Sequence, residues 1–192
     1  MVMEPLLGGR LARLNKNALT ILQDENPQAS AASWALRYLA GLPNILTVLS
    51  GMTYMEHLQD NLRAYAPFEP LSARETAALK RALDLFITQE NIPCTACSYC
   101  MPCPYGVDIP AVFTHYNNCV DDEYIPKGVR GADYEKIRRA FLVGYDRSVP
   151  ELRQAFRCTG CGKCTPLCPQ RINIPEQLAR LGKFVEGLRS EV

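Results

Sequence analysis

Little in this sequence is in excess. Lys and Arg number 21 against 20 Asp and Glu, a net charge of +1 over 192 residues, so no basic surplus argues for a nucleic-acid partner. No apolar run nears the roughly 18 residues that a membrane span requires, and Arg37 interrupts the best candidate, residues 31–42. The start of the chain carries Glu4 and Pro5 where a secretory leader would have a basic region and then a long apolar one. The nine cysteines are too sparse for a disulfide scaffold, which takes roughly 8–10% of the residues. These absences predict a soluble protein of a reducing cytoplasm, with neither nucleic acid nor membrane as partner. The length allows one large domain or two small ones.

What is present is concentrated. Eight of the nine cysteines lie in two short stretches. The first places Cys94, Cys97, Cys100 and Cys103 at equal steps and ends on Pro104. The second places Cys158, Cys161, Cys164 and Cys168 and ends on Pro169. The second has the C-x2-C-x2-C-x3-C-P spacing of bacterial two-cluster ferredoxins, and the first is one residue short of it. Three thiolates at two-residue intervals can wrap three corners of a cubane iron–sulfur cluster, and the fourth must come from elsewhere. In two-cluster ferredoxins the distal Cys-Pro of each run serves the other run's cluster. That resemblance implies Cys94, Cys97, Cys100 and Cys168 for one [4Fe–4S] cluster and Cys158, Cys161, Cys164 and Cys103 for the other. The short spacing before Cys103 leaves ligation of its own cluster open. Ala96, Ser98, Gly160 and Gly162 are small enough for backbone amides to approach the sulfides. Two four-thiolate zinc sites could use the same eight residues, but such sites usually present two separated C-x2-C pairs.

Ahead of the cysteines, residues 1–7 and 44–50 read as buried strands. Between them, 18–22 reads as one or two helical turns, 24–28 as a polar loop, and 31–40 as a helix capped by Ser30 with Trp34, Ala35, Tyr38 and Leu39 on one face. Thr53 and Glu56 have the spacing of a capping box for a helix with Met55, Leu58, Leu62 and Tyr65 inward. The order strand, helix, strand, helix predicts a right-handed βαβ unit, which needs further cover because a parallel sheet is buried on both faces. Residues 67–92 read as a connector, with a capping box at Ser72 and Glu75 and a stripe of Leu79, Ala82, Leu83 and Phe86.

Taken with Met3-Glu-Pro-Leu-Leu-Gly-Gly9, Ser33-Trp-Ala-Leu-Arg-Tyr-Leu39, Val48-Leu-Ser-Gly-Met52, Glu56-His-Leu-Gln-Asp-Asn61 and the first cysteine run, the chain resembles aldo/keto reductases that carry a C-terminal iron–sulfur domain. The resemblance implies an α/β remnant, the last two βα units of an eight-stranded β/α barrel (1–66), followed by a connector helix (67–92) and an all-α two-cluster ferredoxin-like domain (93–192). The family's catalytic Tyr, Lys, Asp and His lie earlier in the barrel, so no catalytic residue is expected here and the isolated chain is expected to be inactive as a reductase. Tyr54, Lys16, Asp24 and His57 are not substitutes. Leu6, Gly8, Gly9, Ser50, Gly51, His57 and Asn61 match cofactor-edge positions, so NAD(P) is expected only if another segment completes the barrel. Met52 and His57 depart from the hydroxyl and Arg that many members place there. The implied partner is an N-terminal barrel segment or a redox protein.

From residue 92 the chain repeats. Cys103-Pro-Tyr-Gly-Val-Asp-Ile-Pro110 parallels Cys168-Pro-Gln-Arg-Ile-Asn-Ile-Pro175, and each Ile-Pro suits a helix start. The predicted helices are 110–118, 133–145, a short one opened by Ser148 and Glu151, and one with Leu178, Leu181, Val185 and Leu188 on one face. This arrangement is similar to the helical two-cluster ferredoxins of succinate dehydrogenase and heterodisulfide reductase subunits. Residues 121–131 read as a polar loop, Cys119 as a small buried residue and His115 as a helix-surface residue. The expected function is electron transfer through two [4Fe–4S] clusters. The alternative is a structural metal-binding module that mediates assembly without redox turnover.

Overall fold

The computed structural model describes residues 1–88, 90–128 and 131–191. Parts of the predicted connector, of the 121–131 loop and of the C-terminus, namely Gln89, Val129, Arg130 and Val192, lie outside the described residues. The chain forms two compact units, Met1–Gln89 and Glu90–Val192. Seven α-helices are described: α1 Lys16–Glu25, α2 Ala31–Ala40, α3 Met55–Tyr65, α4 Ala73–Ile87, α5 Ile109–Asp121, α6 Ala132–Ser148 and α7 Ile174–Ser190. None among the described residues is long and apolar enough to cross a membrane.

The two expected strands of the first unit do not form. Among the described residues there is no strand, only a parallel bridge between Val2 and Val48, made by Val2 N–H to Thr47 O at 3.0 Å and Leu49 N–H to Val2 O at 2.9 Å. Glu4–Ala12 instead folds into successive turns ending in a 3-10 turn at Arg10–Ala12. Strand formation needs neighbours that pair the backbone and cover the side chains. Here Met3 is 73% and Leu46 91% exposed. The same want of cover corrects the expectation for α3: Met55, Leu58, Leu62 and Tyr65 are exposed, and only Ala64 is buried. Nor does the Thr53–Glu56 box form, because the helix starts one residue later than that box requires, with Tyr54 at its N-cap and no side-chain cap.

Other local signals are met in this unit. Asn15 caps α1 by accepting from Ala18 N–H at 2.7 Å, and the helix extends well beyond the one or two turns expected. Ser30 caps α2 and donates to Asp60 near the middle of α3. The Ser72–Glu75 capping box closes in both directions at the start of α4. The small core is Ala18, Leu22, Trp34 and Ala82, with Leu79 packed against it, so α4 turns its apolar stripe toward α1 while Leu83 stays exposed. On α2, Trp34 and Leu36 are buried and Tyr38 is exposed.

Glu75 also takes a two-pronged contact from Arg37, at 2.7 and 3.2 Å. The guanidinium also reaches the backbone carbonyls of Glu69 and Pro70. This bonding, chiefly to Arg37, lowers the Glu75 carboxyl from 4.5 to about 2. A depressed carboxylate contributes stability that is full above its unfolded value and is lost as pH falls through the folded one. The first unit should therefore lose stability between pH 4.5 and about 2. Acid titration of Glu75→Gln beside the parent checks this: the variant should show a shallower loss across that window.

The second unit has the larger core, built from α5, α6, α7 and the segments that carry the cysteines. Asp108 caps α5 through Ala111 N–H, and Pro110 and Pro175 occupy the first turns of α5 and α7, where a missing N–H costs nothing. On α7 the expected Leu178, Leu181, Val185 and Leu188 are buried. The Ser148–Glu151 box is replaced by a 3-10 turn at Glu151–Arg153 with Pro150 before it.

His115 is not on the surface. It is 9% exposed, edge-on to Phe141 with ring centroids 5.0 Å apart. Its Nε2 lies 3.5 Å from Cys119 Sγ. Gly144 on α6 makes room: a Cβ there would stand 2.9 Å from His115 Cε1. Burial holds the imidazole below its ordinary range and pushes the half-buried Cys119 thiol up to about 11, so the pair is neutral and unreactive.

Candidate metal centre

The two cysteine runs share one backbone path. Ala96 and Ser98 have φ of 54° and 64°, and the equivalent Gly160 and Gly162 both have 72°. Left-handed backbone at these matched places turns the chain sharply within each run, a conformation from which anion-binding nests are built. Ala96 N–H points at Cys94 Sγ at 3.4 Å. The small residues are thus required by backbone conformation as well as by close approach. At Ala96 and Ser98 a side chain is held at a cost of about 1–2 kcal/mol each. The correspondence continues: Met101 N–H bonds Ser98 O at 2.9 Å, and Thr165 N–H bonds Gly162 O at 3.1 Å.

There the copies part by one residue. The second run inserts a 3-10 turn, Thr165–Leu167, before Cys168. After the distal cysteines they rejoin: Gly106 N–H bonds Cys103 O and Arg171 N–H bonds Cys168 O, both at 3.0 Å. Gly106 and Arg171 again have positive φ, 81° and 54°. Val107 and Ile172, then Ile109 and Ile174, follow into the core. This pins the ends of the runs to the helices behind them.

Tertiary packing regroups the thiols across the runs. Cys94, Cys97 and Cys100 line one opening together with Cys168, backed by Ile109, Phe113 and Ile174. Burial raises the Cys100 thiol to about 11, and neighbouring Cys94, Cys164 and Cys97 add to the rise. Burial likewise raises Cys164, with Cys158, Cys161 and Cys103 as its crowding neighbours. Cys168 therefore lies at the opening of the first run, and Cys103 is close enough for its charge to act on Cys164. Cys97 and Cys161 are exposed and the other six are half-buried.

Eight soft donors crowded in this way suit a cationic centre, because metal ligation stabilises the thiolates that burial and mutual repulsion oppose. Among the described residues no three Cys, His, Asp or Glu side chains converge as a single ion requires.

Of the residues matched to a dinucleotide-facing edge, Ser50 and Asn61 are brought together. Asn61 Nδ2 donates to Ser50 Oγ at 3.2 Å, and both line an open apolar recess with Met52 and Leu62. Gly51 and His57 are exposed, with His57 edge-on to the exposed Tyr54. Leu6, Gly8 and Gly9 lie in the turns before Arg10.

Asn117 is a structural contributor that the cysteine pattern does not announce. It is buried, accepts from Ile92 N–H at 2.8 Å and donates to Ile92 O at 2.7 Å, fixing the chain just before Cys94. Its only sequence signal is its place on the core side of a helix, where an amide must be satisfied.

Residues 93–174 match the family model of a 4Fe-4S dicluster domain. The second unit therefore contains an iron–sulfur dicluster domain, and the eight run cysteines fall within the matched segment. No curated protein and no solved structure matches the chain.

Proposed function

We propose that the second unit holds two [4Fe–4S] clusters and transfers single electrons. Cys94, Cys97, Cys100 and Cys168 hold one, and Cys158, Cys161, Cys164 and Cys103 hold the other. The observation that carries this reading is the regrouping of the distal cysteines, Cys168 at the opening of the first run and Cys103 beside the second. When bound, such clusters supply one-electron exchange at potentials tuned by hydrogen bonds to sulfur and by exposure. The chain's part is to present thiolates, aim backbone N–H groups through the left-handed turns, and exclude water behind Ile109, Phe113 and Ile174.

We propose further that residues 1–66 are the closing part of an aldo/keto-reductase-type barrel in a reducing compartment. The rest of the barrel, with its catalytic residues, comes from another segment or partner. The parallel Val2–Val48 bridge, with α2 between its two ends, supports this, as do the uncovered apolar residues Met3, Leu46, Leu58 and Leu62. NAD(P) binding at Leu6, Gly8, Gly9, Ser50, Gly51, His57 and Asn61 belongs to the completed barrel only.

The test is anaerobic purification followed by iron and sulfide analysis and reductive titration. A brown protein with about eight irons whose visible absorption bleaches with dithionite and returns on reoxidation is expected. A colourless protein with stoichiometric zinc would reject the reading, and clusters that cannot be reduced reversibly would leave only a structural module.

A further inference from the structure

The helices of the first unit leave a cavity between them. It has a volume of about 550 Å³, and its walls include Leu11, Trp34 and Leu39 together with Leu79, Leu83 and Phe86 of α4. That volume falls in the range of about 300–1,000 Å³ usual for small-molecule sites. The cavity lies wholly within the first unit, so its use does not depend on the clusters.

Two groups on this apolar wall say what would fill it. Trp34 is 1% exposed, and its buried Nε1–H has no hydrogen-bond partner among the described residues. A buried indole N–H normally has one, so the donor asks for an oxygen that the chain does not supply. Lys80 lines the same cavity. The ion pairs of α4 are Glu75 with Arg37 and Arg74 with Glu25, and Lys80 has none among the described residues. Arg10 adds a second cation, its guanidinium 4.9 Å from the centre of the Phe86 ring. Among the described residues no Asp or Glu lines the cavity. A purely apolar guest would leave the indole unpaired, and a cationic one would meet Lys80 and Arg10.

We propose that this cavity binds a small amphiphilic monocarboxylate. Its alkyl or aryl body lies against Leu39, Leu79 and Leu83, and its carboxylate supplies both the negative charge that Lys80 calls for and an acceptor oxygen for Trp34.

Trp34 is the single tryptophan of the chain, so its emission reads occupancy of the cavity. Octanoate titrated into the anaerobically purified full chain should change that emission saturably while the helical circular dichroism stays constant, and calorimetry should return the same affinity. Octanol and octylammonium carry the same tail with no charge and with the opposite charge. Both should bind at least about threefold more weakly than octanoate, the effect of one exposed charge pair. Lys80→Gln, at an exposed position, should weaken octanoate about three- to fivefold and leave octanol unchanged. Ala35→Leu, which narrows the cavity, should weaken both. The proposal is overturned by an emission that does not saturate, by loss of helix in step with the emission change, by equal affinity for the three probes, or by octanoate binding indifferent to Lys80→Gln.

Discussion

Removing Cys97 and Cys168 together should cost no more iron than removing either alone. If the thiols are shared across the runs, Cys97→Ala and Cys168→Ala disable the same cluster, and the double variant should keep about four of the roughly eight irons. Cys161→Ala with Cys168→Ala disables both and should leave almost none. Were each distal cysteine to serve its own run, the pattern would reverse: the Cys161/Cys168 pair would keep one cluster and the Cys97/Cys168 pair would keep neither. Anaerobic iron and acid-labile sulfide per chain, with the spectrum of the reduced state, read the difference. The basis is the opening shared by Cys94, Cys97, Cys100 and Cys168 and the placement of Cys103 among the neighbours of Cys164. The shorter spacing before Cys103 makes this the most informative comparison in the molecule.

The second large effect is expected away from any thiol. Asn117→Ala would strip both partners from Ile92, whose N–H and C=O the amide now satisfies. Ile92 and Asn117 are both buried, so water cannot replace the lost bonds. Leaving a buried donor and acceptor unpaired costs about 1–3 kcal/mol each, so a total loss of about 2–6 kcal/mol is expected. Anaerobic urea unfolding measures it. The variant should also release iron more readily on incubation with a chelator, because Ile92 is the anchor two residues before Cys94. A midpoint shift worth less than about 0.5 kcal/mol, the size of an ordinary surface substitution, would show that the amide does not anchor the run.

The features legible in advance were those written in short-range chemistry. The cysteine spacing, the Ile-Pro helix starts and the Ser30 and Ser72 caps each depend on residues a few positions apart, and each appears where it was expected. The failures needed distant partners. Residues 1–7 and 44–50 have the apolar run of a buried strand, but such a strand exists only when neighbours pair and cover it. Here the pairing stops at Val2 and Val48. Thr53 and Glu56 have the right spacing for a box, but the helix starts one residue later than the pattern requires. His115 reads as polar and therefore exposed. Its burial depends on Gly144, on another helix, which opens a slot that any side chain would fill. At Ala96 and Ser98 small size was legible, while the left-handed backbone was visible only by comparison with Gly160 and Gly162.

The exchange of distal cysteines also bears on how the second unit is kept folded. With the crossed ligation proposed above, a cluster gripped by residues near 97 and by Cys168 would staple together points far apart in the chain, as a second one would for Cys103 and the residues near 161. Closing a long loop removes freedom from the unfolded chain, worth about 3–5 kcal/mol per tie in the accounting used for disulfides. Ties arranged in that way would interlock, so neither half of the unit would be held by its own cluster alone. Oxidative loss of either cage would loosen both halves at once, and the unit should come apart as a single cooperative body.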